Sequence, residues 1–60
     1  MAGDHEAWEY DCLEEPPRHI ADLVEDLNRM GREGWEAFAA FSVGGSAMPN
    51  VVVLVKRHVD

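Results

Sequence analysis

Apolar and polar positions along this chain follow one period, then another, and each change of period marks an element. From Ala7 to Glu14 the period is two, with Trp8, Tyr10 and Cys12 on one side and Glu9 and Asp11 on the other. That alternation predicts a half-buried strand, its aromatic side inward. Pro16 and Pro17 break the strand, and Pro17 suits the first turn of a helix, where a missing N–H costs little. Over residues 18–32 the spacing becomes three and four. Ile20, Leu23, Val24, Leu27 and Met30 fall on one face, and Asp22, Glu25, Asp26 and Arg29 on the other. This predicts an amphipathic helix of about four turns. Glu25 and Arg29 have the i,i+4 spacing of a helix ion pair. Gly34 is the natural left-handed stop, and Trp35 beyond it can fold back onto Met30.

Residues 35–43 return to period two, but both sides are largely apolar: Trp35, Ala37, Ala39, Phe41 and Val43 against Glu36, Phe38, Ala40 and Ser42. Gly44 to Asn50 read as a loop. Val51 to Val55 follow as an uninterrupted β-branched and aliphatic strand that ends at Lys56-Arg57. The last two strands therefore form a hairpin. The expected fold is a single α+β unit of β-α-β-β order, residues 7–58, preceded by a flexible acidic tail, residues 1–6. Its sheet is three-stranded and mainly antiparallel in order 1-3-2, because the strand that is apolar on both sides suits the centre. A right-handed crossover places the one helix on one face. The other face stays uncovered. Phe38 and Ala40, with Val52 and Leu54 or with Val51, Val53 and Val55, are expected there, and an exposed apolar patch of this kind marks an interface. Sheet-face or edge-strand self-association, or docking of a different protein, is the expected consequence.

Length sharpens that expectation. A chain of 60 residues buries only about 60% of the surface its unfolded form exposes, so its core needs help from a disulfide, a metal or a partner chain. A single cysteine, Cys12, excludes an internal disulfide. Charge narrows the partners: twelve carboxylates face five basic side chains, for a net charge of −7, which disfavours a phosphate backbone and so nucleic acid. The start, Met1-Ala2-Gly3-Asp4-His5-Glu6, has no basic region followed by an apolar run, and no segment approaches the length of a membrane span. A cytoplasmic protein with no membrane partner is expected.

No constellation reaches the threshold of a catalytic, metal or nucleotide site. His5, His19 and His58 are scattered, without the close pairs of metal sites. Cys12 shares a side with Trp8 and Tyr10, where a free cysteine acts as a small buried hydrophobe, and no histidine is placed to activate it. Glu14, Glu15, Asp22, Glu25 and Asp26 form an acidic set that reads first as solvated surface. Gly44-Gly45-Ser46 follows a strand but opens into another strand, so it lacks the helix N-terminus of a phosphate cradle. Lys56 and Arg57 read as edge or terminal charges, and the tryptophans as core. No cofactor is expected.

Trp8-Glu9-Tyr10 in the first strand, the run Leu27-Asn28-Arg29-Met30-Gly31-Arg32-Glu33-Gly34-Trp35-Glu36 and the closing Lys56-Arg57 together resemble a family of short bacterial proteins known as domain of unknown function 4177. The resemblance covers residues 8–57 and implies a compact β-α-β-β unit; it implies no activity and no catalytic residues. Asp11-Cys12 departs from the aliphatic residues commoner there in the family. The leading functional expectation is a small non-enzymatic interaction module, a homo-oligomer or an accessory subunit of a larger assembly. An acidic inhibitor or decoy for a basic protein surface, built on Glu14, Glu15, Asp22, Glu25 and Asp26, is the second. A small-ligand or metal binder with its site between subunits is the third.

Overall fold

Pro16 decides how the first strand hands over to the helix in the computed structural model, which describes residues 7–45 and 49–59. β1 (Ala7–Glu15) ends at Pro16, whose ψ of 152° is extended. A single 3-10 turn over Pro17–His19 follows, closed by the His19 N–H donating to the Pro16 carbonyl at 2.9 Å. Only then does α1 (Ile20–Arg32) begin, so the first turn that the sequence assigns to the helix is wound more tightly than an α-helix. The residue before a proline is pushed toward extended backbone, and a 3-10 turn is the short way back from it.

At the other end, Gly34 takes φ 96°. The Gly34 N–H donates to the Gly31 carbonyl at 3.1 Å and the Trp35 N–H to the Met30 carbonyl at 3.0 Å. These are the two bonds of a Schellman motif. Trp35 packs against the core cluster that contains Met30, as its position after the glycine predicts.

β2 (Glu36–Val43) and β3 (Asn50–Val59) complete the sheet. β3 lies in the centre, antiparallel to both neighbours, in the order β1-β3-β2. The α+β class, the element order and the strand order all match the expectation. β3 runs four residues past Val55, because β1 pairs with it along its whole length, from Glu15 opposite Val51 to Ala7 opposite Val59. The acidic tail, residues 1–6, and the centre of the β2–β3 loop, residues 46–48, lie outside the described residues.

Directly opposed residues of antiparallel strands point to the same face, so the register sorts the sheet. One face carries Leu13, Val53 and Ala40 in one row and Asp11, Val55 and Ala37 in the next. α1 lies here: Leu23 (2% exposed) and Met30 pack with Val53 and Val55 (1% exposed), and Leu13, Leu27, Trp35 and Val51 close around them. The Cα trace is 11 Å across its thinnest direction, which leaves room for two layers and one core between them.

Two expectations fail on this helix. Ile20 and Val24 are exposed. The helix rests on the narrow central strand by the row Leu23, Leu27 and Met30, which is narrower than its apolar stripe. Arg29 pairs at 3.2 Å with Asp26, one turn before it, where the spacing predicts Glu25.

A candidate interface on the open sheet face

The face away from α1 holds four of the five Trp, Tyr and Phe residues. Its rows are Glu14, Val52 and Phe41; Cys12, Leu54 and Ala39; Tyr10, Lys56 and Glu36; and Trp8 beside His58. The side of β1 that the sequence assigns to the core is therefore the open side: Trp8 is 38% exposed, Tyr10 64%, and Cys12 is exposed and free. Alternation shows which residues share a side, and the turn into the helix decides which side the helix covers. In β1 that choice puts Glu9, Asp11, Leu13 and Glu15 under the helix layer, with Leu13 as the one apolar contact.

Phe38 sits at an irregularity in β2, because Ala37 opposes Val55 while Ala39 opposes Leu54, the next residue back. Phe38 is the extra residue of a β-bulge. Its ring lies on the open face, edge-on to Tyr10 at 5.9 Å between centroids. The bulge also shifts the phase of the strand beyond it. Ala40, expected beside Phe38 on the open face, opposes Val53 and lies on the helix side, whereas Phe41 turns to the open side and is 46% exposed. Of the residues expected there, Phe38 is on the open face and Ala40 is not, and of the two alternatives for β3 the open face takes Val52 and Leu54 rather than Val51, Val53 and Val55. Trp8, Tyr10 and Phe41 also belong to it, which the alternation does not predict. Period-two reading carries no signal for a bulge between residues as similar as Ala37, Ala39 and Ala40.

Lys56 stands in the middle of this face. Its Nζ lies 4.6 Å from the centre of the Trp8 ring and 5.5 Å from that of Phe38. An ammonium over ring faces is stabilised by their quadrupoles, so the central charge of the patch rests on rings. Trp8 in turn meets His58 edge-on at 5.2 Å. Glu14, at the far end, accepts a hydrogen bond of 2.7 Å from the Asn50 side-chain amide.

Arg57, next to Lys56, points to the helix side. It pairs with Glu9 at 2.7 Å, lies 4.5 Å over the Trp35 ring and approaches the Glu33 carbonyl at 3.5 Å. A cation at the end of a helix complements the partial negative charge there. Both basic residues belong to the central strand, so they are neither edge nor terminal charges. One ties the helix end to the sheet; the other centres the aromatic patch.

The acidic set does not converge on one surface. Glu14 is on the open face, opposite α1. Glu15 is on the helix side, 3.4 Å from the His19 Nδ1. Asp22 and Glu25 are exposed on α1, while Glu25 and Asp26 line an open hollow of about 330 Å³ together with Asn28, Arg29 and Arg32. Basic residues thus interrupt the acidic helix surface. Among the described residues no group of three or more His, Cys, Asp or Glu side chains could hold a metal ion, and no helix is long and apolar enough to cross a membrane. Comparison of the chain with protein-family models, with curated proteins and with solved structures finds no match.

Proposed function

We propose that this chain is a small non-enzymatic interaction module that self-associates through its open sheet face and serves as a structural subunit of the resulting assembly. One observation carries the reading: Trp8, Tyr10, Phe38 and Phe41 gather on a sheet face that no described element covers, each more than a third exposed. Large aromatic side chains are favoured at the centres of protein interfaces, and a contiguous apolar patch rimmed by polar groups is how such interfaces look when unpaired. Glu14, Glu36 and His58 supply that rim here. The small core on the other face adds a stability argument, since closing a second apolar layer gives a short chain the burial it lacks.

Tyr10→Asp tests it. Tyr10 is the most exposed of the four rings, so an acid there leaves the helix core untouched while placing a charge in the patch. Light scattering over a dilution series is expected to show a lower mass for the variant than for the wild type. Equal masses at every concentration contradict the reading.

A further inference from the structure

We infer that a second copy of this chain also pairs with the outer edge of β2, strand to antiparallel strand, about a two-fold axis through Phe41. This deepens the self-association proposed above by adding a second contact, and it is tested separately from the open face. The two sheet edges are built differently. β1 carries Glu9, Asp11, Glu14 and Glu15, and the Asp11 carboxylate accepts the backbone N–H of Cys12 at 2.7 Å, filling a donor that an incoming strand would need. Charges and self-satisfied backbone groups are how proteins block an edge. β2 has no such guard beyond its bulge: from Ala39 to Val43 it is regular and carries no charge, and Ala40, Phe41 and Ser42 are exposed. Two copies that each carry −7 meet with least repulsion along this edge.

The register follows from the strand's own irregularities. The bulge at Phe38 limits the regular segment at one end, and Gly44, with φ 93°, limits it at the other. Ala39–Val43 remains, and its midpoint is Phe41. Centring the axis there opposes Phe41 to itself, Ala40 to Ser42 of the second copy and Ala39 to Val43 of the second copy. Each pair lies on one face, because Ala39, Phe41 and Val43 are on the open side and Ala40 and Ser42 on the helix side. Moving the axis by one residue either way keeps the faces but runs the pairing into the bulge or the glycine. The result is a continuous sheet with doubled open face. Two such pairs closed face to face make a sandwich of four chains with dihedral symmetry.

Cysteine cross-linking on the helix side separates this contact from the open-face one. In a Cys12→Ser background, Ala40→Cys and Ser42→Cys are made as separate proteins, mixed and mildly oxidised. Opposed residues stand about 4.5–5.5 Å apart between Cα atoms, within disulfide reach, whereas like residues of the two copies lie on a diagonal of about 7–8 Å. The mixture is expected to yield about tenfold more cross-linked dimer than either protein alone. Equal yields overturn the inference. As a second variant, Ala40→Lys places like charges beside the axis and leaves the open face intact. Its mass is expected to fall to half that of the wild type with an unchanged circular dichroism spectrum, and a wild-type mass overturns the inference. A falling mass for Tyr10→Asp with no selective cross-link would leave the open-face reading standing alone; the reverse pattern would leave the edge pairing alone.

Discussion

The two faces of the sheet are made from the same strands and do opposite things. On the helix side Val53 and Val55 are buried beneath Leu23 and Met30, small branched side chains that let a helix come close. On the open side the adjacent positions carry Trp8, Tyr10 and Phe38 around Lys56, with Phe41 further along the same face, all four rings exposed. Aliphatic residues and Met30 build the inner core, closed at one end by Trp35, and the outer surface carries the other four rings. The position of the most hydrophobic-looking residues therefore does not locate the core of this two-layer protein. Rings that a larger protein would bury are here left open to solvent.

The largest effect should come from breaking the inner face. Leu23→Ala is expected to cost about 2–5 kcal/mol, a large share of the roughly 3–9 kcal/mol typical for a domain of this size. Chemical denaturation should show a greatly lowered midpoint, or no folded baseline. Breaking the outer face should look different: Tyr10→Asp loses the edge-to-face contact with Phe38 and is expected to cost the separated chain only about 1 kcal/mol, while light scattering records a lower mass. A loss of folding comparable to that of Leu23→Ala would place Tyr10 in the core and erase the distinction.

Smaller effects sharpen the same contrast. Gly34→Ala forces a side chain into a left-handed backbone at φ 96° and should cost about 1–2 kcal/mol, with no steric clash to add. Gly31→Ala, inside α1 with open space around its Cβ, should stabilise by about 0.5–1 kcal/mol. Paired thermal melts check both signs, and they should be opposite although the glycines are three residues apart. Arg57→Ala removes an exposed ion pair with Glu9 and stacking on Trp35, about 1 kcal/mol together. Part of that loss should vanish in high salt.

The architecture was legible because its signals are local and strong. The helical spacing of Leu23, Leu27 and Met30, the Gly34-Trp35 junction and the two-sided apolar run Val51–Val55 gave the helix, its cap and the central strand. The site was half legible. An uncovered face followed from counting one helix against two faces, and Phe38, Val52 and Leu54 were found on it. Two non-local facts were out of reach. Which side of β1 meets the helix depends on the turn through Pro16 and Pro17, so alternation alone places Trp8, Tyr10 and Cys12 on the wrong side. The bulge at Phe38 exchanges the sides of Ala40 and Phe41, and nothing in a run of alanines and phenylalanines announces it.

Trp8 and Trp35 report on the two faces separately, so their fluorescence distinguishes an assembly surface from a core. With Trp35→Phe, the emission of Trp8 is followed as the protein is concentrated; with Trp8→Phe, that of Trp35. If the open face is the assembly surface, Trp8 emission shifts to the blue with concentration, Tyr10→Asp abolishes the shift, and Trp35 emission stays constant. A Trp8 emission that stays the same across the whole concentration range would contradict the account.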